Sequence, residues 1–359
     1  MPELASFVAE RGLVDHHCHG VLLRDADEAT LEASLTEGGP FDGGSPFDSA
    51  IGFAFRRLCP PVLGLDADAS LSSYVRHRAG LGVSEVNRRF LRAAGLAAMC
   101  VDTGYRPEPI TSPAELGELA DAGAFEIVRL EVVAEQVGAG GTDAAGFADA
   151  VRAELSRRAA GAVGFKSIAA YRVGLDLRPE RPTAAEVAVA AGRYLRAPER
   201  LADETLQRFL IWCANDLGLP VQFHVGYGDR DVDLHRCNPL LLTPLIRSLR
   251  GPVMLLHIYP YHREAGYLAQ VFPHVYVDAG LATHNLGFRA STLLAEALEL
   301  TPYGKFLYSS DAFGLPELYY LGAALFRRAL SEYLRDVPEA ERIAELMCGG
   351  NARRVYRLS

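Results

Sequence analysis

Short apolar runs alternate with segments of helical pattern along most of the chain. After an opening run at Leu13–Val14, further apolar runs recur, most of them separated by stretches with the spacing of amphipathic helices. Nearly continuous apolar strands that alternate with helices are typical of parallel strands covered by those helices. The pattern predicts eight strands, of which the later seven are Leu96–Val101, Phe125–Leu130, Ala162–Phe165, Pro220–Phe223, Val253–Leu256, Val275–Val277 and Phe306–Tyr308.

Eight such units predict an α/β fold, a (β/α)8 TIM barrel. The rival is a doubly wound open sheet, but no Gly-x-Gly-x-x-Gly follows the first strand to support it. Local signals also define individual helices. Thr183 and Glu186 are spaced as a capping box, and a helix from Asp203 to Leu217 is expected to end at Gly218. The tail over 338–359 predicts one more helix, followed by the stretch Gly349–Arg354.

Residues 24–95 separate the first two predicted strands and are too long for an ordinary connection. They carry short amphipathic patterns broken by Gly- and Pro-rich pieces, which predicts a largely helical cap insertion. We expect this insertion to cover the mouth of the barrel and to contribute to the substrate pocket. The alternative is a surface insertion with no role in the site. Because no linker or internal repeat is visible, the prediction is a single domain over residues 1–359.

Side chains suited to metal chemistry stand where the predicted strands end. His17 and His19 lie two residues apart, so on a strand they share a face and can reach one point. One such pair can be a chance cluster, and a single histidine after an apolar run is more often a core residue. Several in the same position are hard to explain by packing, because catalytic groups of a barrel meet at the C-terminal strand ends. The residues that follow later runs are Lys166, His224, His257 and Asp311.

Three further polar residues lie near the expected mouth. Arg172 follows the fourth strand, where its guanidinium could bind a substrate carboxylate through two hydrogen bonds. A salt bridge within the protein is the alternative for Arg172. Asp102 and Glu131 follow the second and third strands and fit a supporting or a purely structural role.

Composition narrows the class of protein. The 359 residues are 49% hydrophobic, which is ample for a full core. A net charge of -9 without a run of Lys or Arg argues against a nucleic-acid partner. The chain lacks a run of about 18 apolar residues, so no membrane span is expected, nor is a signal peptide. Six scattered cysteines without a Cys-x-x-Cys pair indicate reduced thiols and a cytoplasmic protein.

With these residues in place, the chain resembles the amidohydrolase superfamily of metal-dependent (β/α)8 enzymes. Within it, the chain is similar to the N-terminal amidohydrolase-like domain of nodulin/glutamine-synthetase-like fusion proteins. The resemblance runs from the first strand to Asn351. The stretches that carry it are Asp15–His19, Gly164–Arg172, Gln222–Asp229, Leu256–His257, Ser310–Ala312 and Pro316–Gly322.

The resemblance also implies a metal centre. Where the superfamily binds a second metal, a lysine at the position of Lys166 is carboxylated to bridge the pair, and His257 binds the second ion. In single-metal relatives the residue at the His257 position polarises the substrate, and Lys166 could stay a cation that binds a carboxylate. We expect zinc, with manganese or iron as alternatives, and one or two ions. The ligands that the resemblance implies for the first metal are His17, His19, His224 and Asp311.

Together these observations predict an enzyme, a metal-dependent amidohydrolase that hydrolyses a C–N amide-type bond in a small, carboxylate-bearing substrate. Metal-bound hydroxide would be the nucleophile, Asp311 the general base and acid, and His257 or the metal would stabilise the oxyanion. One alternative is a metal-dependent non-oxidative decarboxylase on the same barrel; another is a non-catalytic metal-bearing barrel in signalling or assembly. The expected partner is a small molecule, and neither a nucleic acid nor a membrane is expected to bind. Whether the chain forms a homo-oligomer is left open by the sequence.

Overall fold

The computed structural model describes residues 2–39 and 43–358 of the chain. Its strands form one parallel sheet in which each strand pairs with the next in sequence, in the order β1 to β7. Parallel neighbours need a long crossover, and helices supply it between successive strands. The strands are β1 (Leu13–Cys18), β2 (Leu96–Asp102), β3 (Gly123–Arg129), β4 (Ala162–Ser167), β5 (Val221–His224), β6 (Val253–Leu256) and β7 (Val275–Val277).

Helices surround the sheet and occupy the long connections. Short 3-10 turns and one π-helical turn, Leu346–Gly350, join several of them. The α-helices of the described residues are α1 (Pro2–Glu10), α2 (Glu28–Ser34), α3 (Ala50–Val62), α4 (Leu71–Leu81), α5 (Val83–Ala94), α6 (Pro113–Ala120), α7 (Leu130–Ala139), α8 (Phe147–Ala159), α9 (Ala169–Arg172), α10 (Ala184–Tyr194), α11 (Glu204–Leu217), α12 (Thr243–Ser248), α13 (His262–Val271), α14 (Ala282–Asn285), α15 (Ala290–Ala297), α16 (Pro316–Tyr333), α17 (Ala340–Glu345) and α18 (Asn351–Tyr356).

The predicted eighth strand, Phe306–Tyr308, joins the two edges of the sheet without becoming a regular strand. Phe306 forms a parallel bridge with Val277 of β7. On the other side, the backbone N–H of His16 donates to the carbonyl of Tyr308 at 3.1 Å, which connects the segment to β1. The pairing is interrupted where the N–H of Ser310 donates to the side chain of Asp15 at 3.0 Å, and it resumes where the N–H of Asp311 donates to the carbonyl of His17 at 3.0 Å. The (β/α)8 barrel is thereby confirmed, with its last strand reduced to a short closing segment.

The capping residues predicted from the sequence begin and end helices in the structure. Thr183 and Glu186 make a reciprocal capping box at the start of α10. The side chain of Asp203 caps α11, which ends at Gly218 in the left-handed conformation, with φ at 72°. The helix predicted in the tail corresponds to α17, and the Gly349–Arg354 stretch after it forms the end of the π turn and the start of α18. The last residue of the chain lies outside the described residues.

Two apolar clusters form the core. The larger lies between the sheet and the surrounding helices. The smaller fills the inside of the barrel, where Val14, Met254 and Leu256 of the strands meet Val355 and Tyr356 of α18. The C-terminal helix therefore contributes side chains to the barrel interior.

The helical insertion after β1 is confirmed, although its parts differ in position. Residues 24–39 line the main cavity of the molecule, together with the ends of the strands. Helix α5 packs against α6 and α16, so it takes the place of an ordinary barrel helix before β2. The part of the predicted cap that reaches the cavity is thus about its first fifth, and residues 40–42 of the cap lie outside the described residues.

A buried ion pair attaches the insertion to the barrel. Arg78 of α4 donates through Nε to Oε1 of Glu317 at 2.8 Å, and the hydroxyl of Tyr74 donates to the same oxygen at 2.8 Å. Both charged side chains are almost fully buried, at 2% and 0% exposure. Removing one member of such a pair leaves an uncompensated buried charge.

We expect Glu317→Gln to lower the free energy of unfolding by about 3 kcal/mol, measured by urea denaturation. The matched control is Glu332→Gln, which removes an exposed pair with Arg328 and should change stability by less than about 1 kcal/mol. Equal effects of the two substitutions would show that the buried pair does not hold the insertion in place.

The remaining structural expectations concern membranes and thiols. In the described part of the chain, no helix combines the length and apolar character that crossing a bilayer requires. All six cysteines are buried, and each carries a free thiol. The thiols belong to the core, and none of them lines the main cavity.

Candidate active site

The main cavity lies at the C-terminal ends of the strands and has a volume of about 870 Å³. Its floor consists of side chains from β1, β4, β5 and the loops that follow β6 and β7. Residues 24–39 and Tyr105 form part of its wall. The predicted site residues that line this cavity are His17, His19, Lys166, Arg172, His224, His257 and Asp311.

His17 is held in one tautomer by Gln222. The amide of Gln222 donates through Nε2 to the backbone carbonyl of His16 at 2.7 Å, which fixes the direction of the amide. Its oxygen Oε1 then lies 2.8 Å from Nδ1 of His17. Because Oε1 only accepts, Nδ1 of His17 carries the proton and Nε2 carries the lone pair. Nε2 of His17 lies 3.0 Å from Oδ1 of Asp311.

The tautomer of His19 is determined in the same way, by a backbone carbonyl. Its Nδ1 lies 3.3 Å from the carbonyl oxygen of Asp102, a group that only accepts. Nε2 of His19 therefore carries the lone pair, and it lies 3.4 Å from Oδ1 of Asp311. Two imidazole lone pairs thus converge on one carboxylate oxygen.

His257 approaches the other oxygen of this carboxylate. Its Nδ1 lies 3.5 Å from Oδ2 of Asp311 and has no hydrogen-bond partner among the described residues. The backbone is left-handed at both residues, with φ at 70° for His257 and 53° for Asp311. We call His17, His19, His257 and Asp311 the ligand cluster. Ligand atoms of His17, His257 and Asp311 lie close enough together to hold one metal ion.

Burial sets the charge state of the ligand cluster. It lowers the pKa of His17 to about 3 and that of His257 to about 4, so both imidazoles are neutral near pH 7. Burial alone would raise the pKa of Asp311, but the neighbouring imidazoles of His257, His17 and His19 outweigh it and hold the pKa well below its ordinary value. Neutral imidazoles and an ionised carboxylate are the forms that bind metals.

His224 lies beside the ligand cluster. Its ring centroid is 4.7 Å from that of His257 and 4.6 Å from that of Tyr171. Nε2 of His224 is buried and finds no hydrogen-bond partner within residues 2–39 and 43–358. Its ligand atoms are nevertheless not among the closely spaced groups that include His17. The structure therefore places His224 in the cavity, next to His257.

Lys166 extends from β4 into the same cavity. The side chain is buried, and burial lowers the pKa of its amine to about 8 although Asp311 and Asp102 act in the opposite direction. No carboxylate of the described residues lies within ion-pair distance of Nζ. Lys166 is thus a buried amine with a depressed pKa on the floor that it shares with the ligand cluster.

The more peripheral residues of the prediction have partners in the protein. Arg172 donates through Nη2 to Glu135 at 3.1 Å while its side chain lines the cavity. Asp102 binds Arg129 through Oδ2 and the N–H of Gly104 through Oδ1, so its oxygens are occupied. Glu131 accepts from Ser167 Oγ and from the N–H of the next residue, each at 2.9 Å, and supports the end of β4.

Some residues around the cavity have no counterpart in the prediction. Arg129 is the last residue of β3. Its apolar neighbours in the sequence predicted only a strand there, so Arg129 was not predicted as a site residue. His284 is buried with Nδ1 unpartnered among the described residues, and it follows β7 by several positions. Glu37 belongs to the insertion, and burial raises its pKa to about 7. Gln222 carried a usable signal, because it is a polar side chain inside an apolar strand.

Comparison with known proteins identifies the family. The family model described as Amidohydrolase matches residues 112–358, well over half of the chain. The chain therefore belongs to the amidohydrolase family. Protein fluG of Emericella nidulans is 34% identical over 222 residues, which are 55% of this chain and 26% of that protein. This chain thus spans about a quarter of the length of fluG.

Solved structures agree with this assignment. A protein from Lactobacillus casei ATCC 334, assigned as a metal-dependent hydrolase, superposes with a TM-score of 0.86 at 31% identity, covering 99% of this chain and 97% of that one. Glucuronate isomerase from Caulobacter crescentus reaches a TM-score of 0.65 at 15% identity over 99% and 93% of the two chains. Uronate isomerase from Thermotoga maritima reaches 0.60 at 13% identity over 99% and 96%. The two isomerases share the fold.

Proposed function

We propose that this protein is a metal-dependent hydrolase that cleaves a C–N amide-type bond in a small, carboxylate-bearing substrate. The ligand cluster would hold a divalent metal, for which zinc is expected, and His224 is the further ligand that family membership suggests. The observation that carries the proposal is the approach of two imidazole lone pairs to one oxygen of Asp311.

This approach is unfavourable without a positive charge between the groups. Nε2 of His17 and Nε2 of His19 lie 3.0 and 3.4 Å from Oδ1 of Asp311, and their protons are on the opposite nitrogens. An added proton on His17 is disfavoured because burial lowers its pKa to about 3. A divalent cation bound by all three groups satisfies them together, and buried polar groups need such compensation.

Two orphaned nitrogens support the same conclusion. Nδ1 of His257 and Nε2 of His224 are buried, lie beside the cavity and have no partner among the described residues. Imidazole nitrogens and a carboxylate form the donor set that zinc, manganese and iron accept. When bound, a divalent metal lowers the pKa of a coordinated water toward about 7 and polarises a carbonyl group.

The residues of the chain supply the proton transfers and the orientation. Asp311 lines the cavity, where its carboxylate can accept a proton from the attacking water and deliver it to the leaving nitrogen. Where a single ion is held by His17, His19, His224 and Asp311, His257 stays free to donate to or to polarise the carbonyl oxygen of the substrate. Arg172 lines the cavity, and its guanidinium can bind a substrate carboxylate while Glu135 holds its other side.

Lys166 provides for a second ion in this proposal. Its buried amine shares the cavity floor with the ligand cluster, and an amine whose pKa is near 8 is partly neutral at physiological pH. A neutral amine can add CO2, and the resulting carbamate would offer two oxygens to a pair of cations. In this two-metal form His257, the member of the ligand cluster that follows β6, would bind the second ion.

The test is metal analysis of the purified protein combined with turnover of a panel of N-acyl amino acids and carboxylate-bearing amides. We expect at least one divalent metal per chain and release of ammonia or an amine. The same assays record CO2, so a decarboxylase would be recognised by CO2 without amine. A protein that binds no metal, or that binds metal and turns over none of these compounds, contradicts the proposal.

A further inference from the structure

We propose that Tyr356, in the C-terminal helix α18, is a positioning residue for the metal centre. Its hydroxyl orients the side-chain amide of Gln222, and that amide fixes the tautomer in which His17 presents Nε2 to the cavity. The inference rests on the metal site proposed above. It assigns a role to a residue at the opposite end of the chain from His17 and outside the cavity.

Helix α18 places Tyr356 inside the barrel. Tyr356 belongs to the interior cluster with Val14 of β1, Met254 of β6 and Val355. Its ring lies with its centroid 5.8 Å from that of His16. The hydroxyl therefore points into a closed apolar space where every polar contact has to be made with the protein.

The amide of Gln222 is the first link. Both hydrogens on its Nε2 are used, one toward the carbonyl oxygen of His16 at 2.7 Å and one toward the hydroxyl of Tyr356 at 2.9 Å. With Nε2 so committed, Oε1 faces Nδ1 of His17 at 2.8 Å. A flipped amide would set its NH2 group against Nδ1 and would favour the lone pair on the wrong nitrogen of His17.

The hydroxyl of Tyr356 is the second link. Its oxygen accepts from Gln222, so its single hydrogen is free to go to Nδ1 of His16, 3.0 Å away. Nε2 of His16 then donates to Oδ2 of Asp278 at 3.0 Å. These hydrogen bonds form a row that runs from His17 through Gln222, Tyr356 and His16 to Asp278. Every donor in the row has one acceptor, so the direction of each hydrogen bond is determined.

The far end of the row also reaches the site. Oδ1 of Asp278 accepts from the backbone N–H of His257 at 3.2 Å and from the hydroxyl of Ser309 at 2.6 Å. The row thus connects His17 on β1 with the backbone at the end of β6. Outer hydrogen bonds of this kind orient metal ligands, and their loss typically weakens metal affinity by about 10- to 100-fold.

The test is Tyr356→Phe, which keeps the ring and removes only the hydroxyl. We expect the Kd for Zn²⁺, measured by competition with a chelating dye, to rise about tenfold. Tyr303→Phe is the matched control, because it also removes one tyrosine hydroxyl bond, to Tyr333 at 3.2 Å, outside the cavity. This control should leave the Kd unchanged. Thermal unfolding of both variants shows whether either substitution disturbs the fold.

A double-mutant cycle separates positioning from packing. Gln222→Met removes the acceptor for His17 and should weaken Zn²⁺ binding at least as much as Tyr356→Phe. If Tyr356 acts through Gln222, adding Tyr356→Phe to Gln222→Met should change the Kd no further. An additive effect in the double variant would overturn the inference.

The unmodified protein provides a test that does not depend on any variant folding. In the metal-free protein labelled with ¹⁵N-histidine, His17 should show the tautomer protonated at Nδ1, assigned with a His17→Gln sample. A Tyr356→Phe protein with unchanged Kd refutes the inference while the proposed function stands. A His17 protonated at Nε2 refutes the inference and also removes the observation that carries the proposed function. If the unmodified protein binds no Zn²⁺, the proposed function itself fails.

Discussion

Replacing His17 and His19 together by alanine is expected to abolish metal binding and to lower hydrolysis by at least about 10³-fold, because the metal supplies several kcal/mol of transition-state stabilisation. The two imidazoles provide both lone pairs that face Oδ1 of Asp311. Without them, Asp311, His257 and the proposed further ligand His224 remain, and both donors that converge on Oδ1 of Asp311 are lost. Metal content by mass spectrometry and turnover of the best substrate are the measurements.

The fold should survive this double substitution, because β1 is buried on both faces and keeps its pairing with β2. A matched control is His77→Ala with His274→Ala, which removes two histidines that bind only backbone carbonyls outside the cavity. This control should retain metal and activity. Full metal occupancy in the His17 and His19 variant would disprove the assignment of the ligand cluster.

The second large effect is expected for Lys166→Ala. If a carbamate on Lys166 bridges two ions, the unmodified protein holds two metals per chain, and the variant loses at least one of them and most of its activity. Short-chain carboxylates such as acetate should restore part of both, because they can occupy the place of the carbamate. The measurements are metal content and turnover with and without added acetate.

Two comparisons make the Lys166 result specific. Lys305→Ala removes a partly buried lysine that donates to the carbonyls of Ala269 and Phe272, and acetate should not affect its activity. Lys166→Arg keeps a cation and cannot form the same carbamate, so it should be inactive if the bridge exists. One metal per chain together with an unmodified amine on Lys166 in the electron density of a crystal structure would reject the bridge.

Most of the fold was predictable because each strand is a separate apolar run. Val253–Leu256 and Val275–Val277 form strands with the predicted bounds. The prediction is least accurate at Phe306–Tyr308, where apolar residues mark the strand but side chains replace backbone partners. Asp15 takes the N–H of Ser310, and a pattern of hydropathy contains no information about such an exchange.

The candidate site was predictable only in its innermost part. His17, Lys166 and Asp311 stand at strand ends, and the geometry of a barrel brings such positions together regardless of sequence distance. The supporting contacts lack a comparable rule. Tyr356 lies 134 positions from Gln222, and their hydrogen bond depends on how α18 enters the barrel. Residues of this kind become visible only when the three-dimensional packing is known.

The left-handed backbone at His257 and Asp311 has a consequence for engineering. An L-residue with a side chain is disfavoured there by about 1–2 kcal/mol relative to glycine, which adopts this conformation freely. Glycine at either position would relieve this backbone cost, but it would also remove a largely buried side chain and a group that the chemistry needs. The strained conformation is therefore maintained by the packing around these two residues, and a screen for robust forms of this barrel has to score turnover at every round.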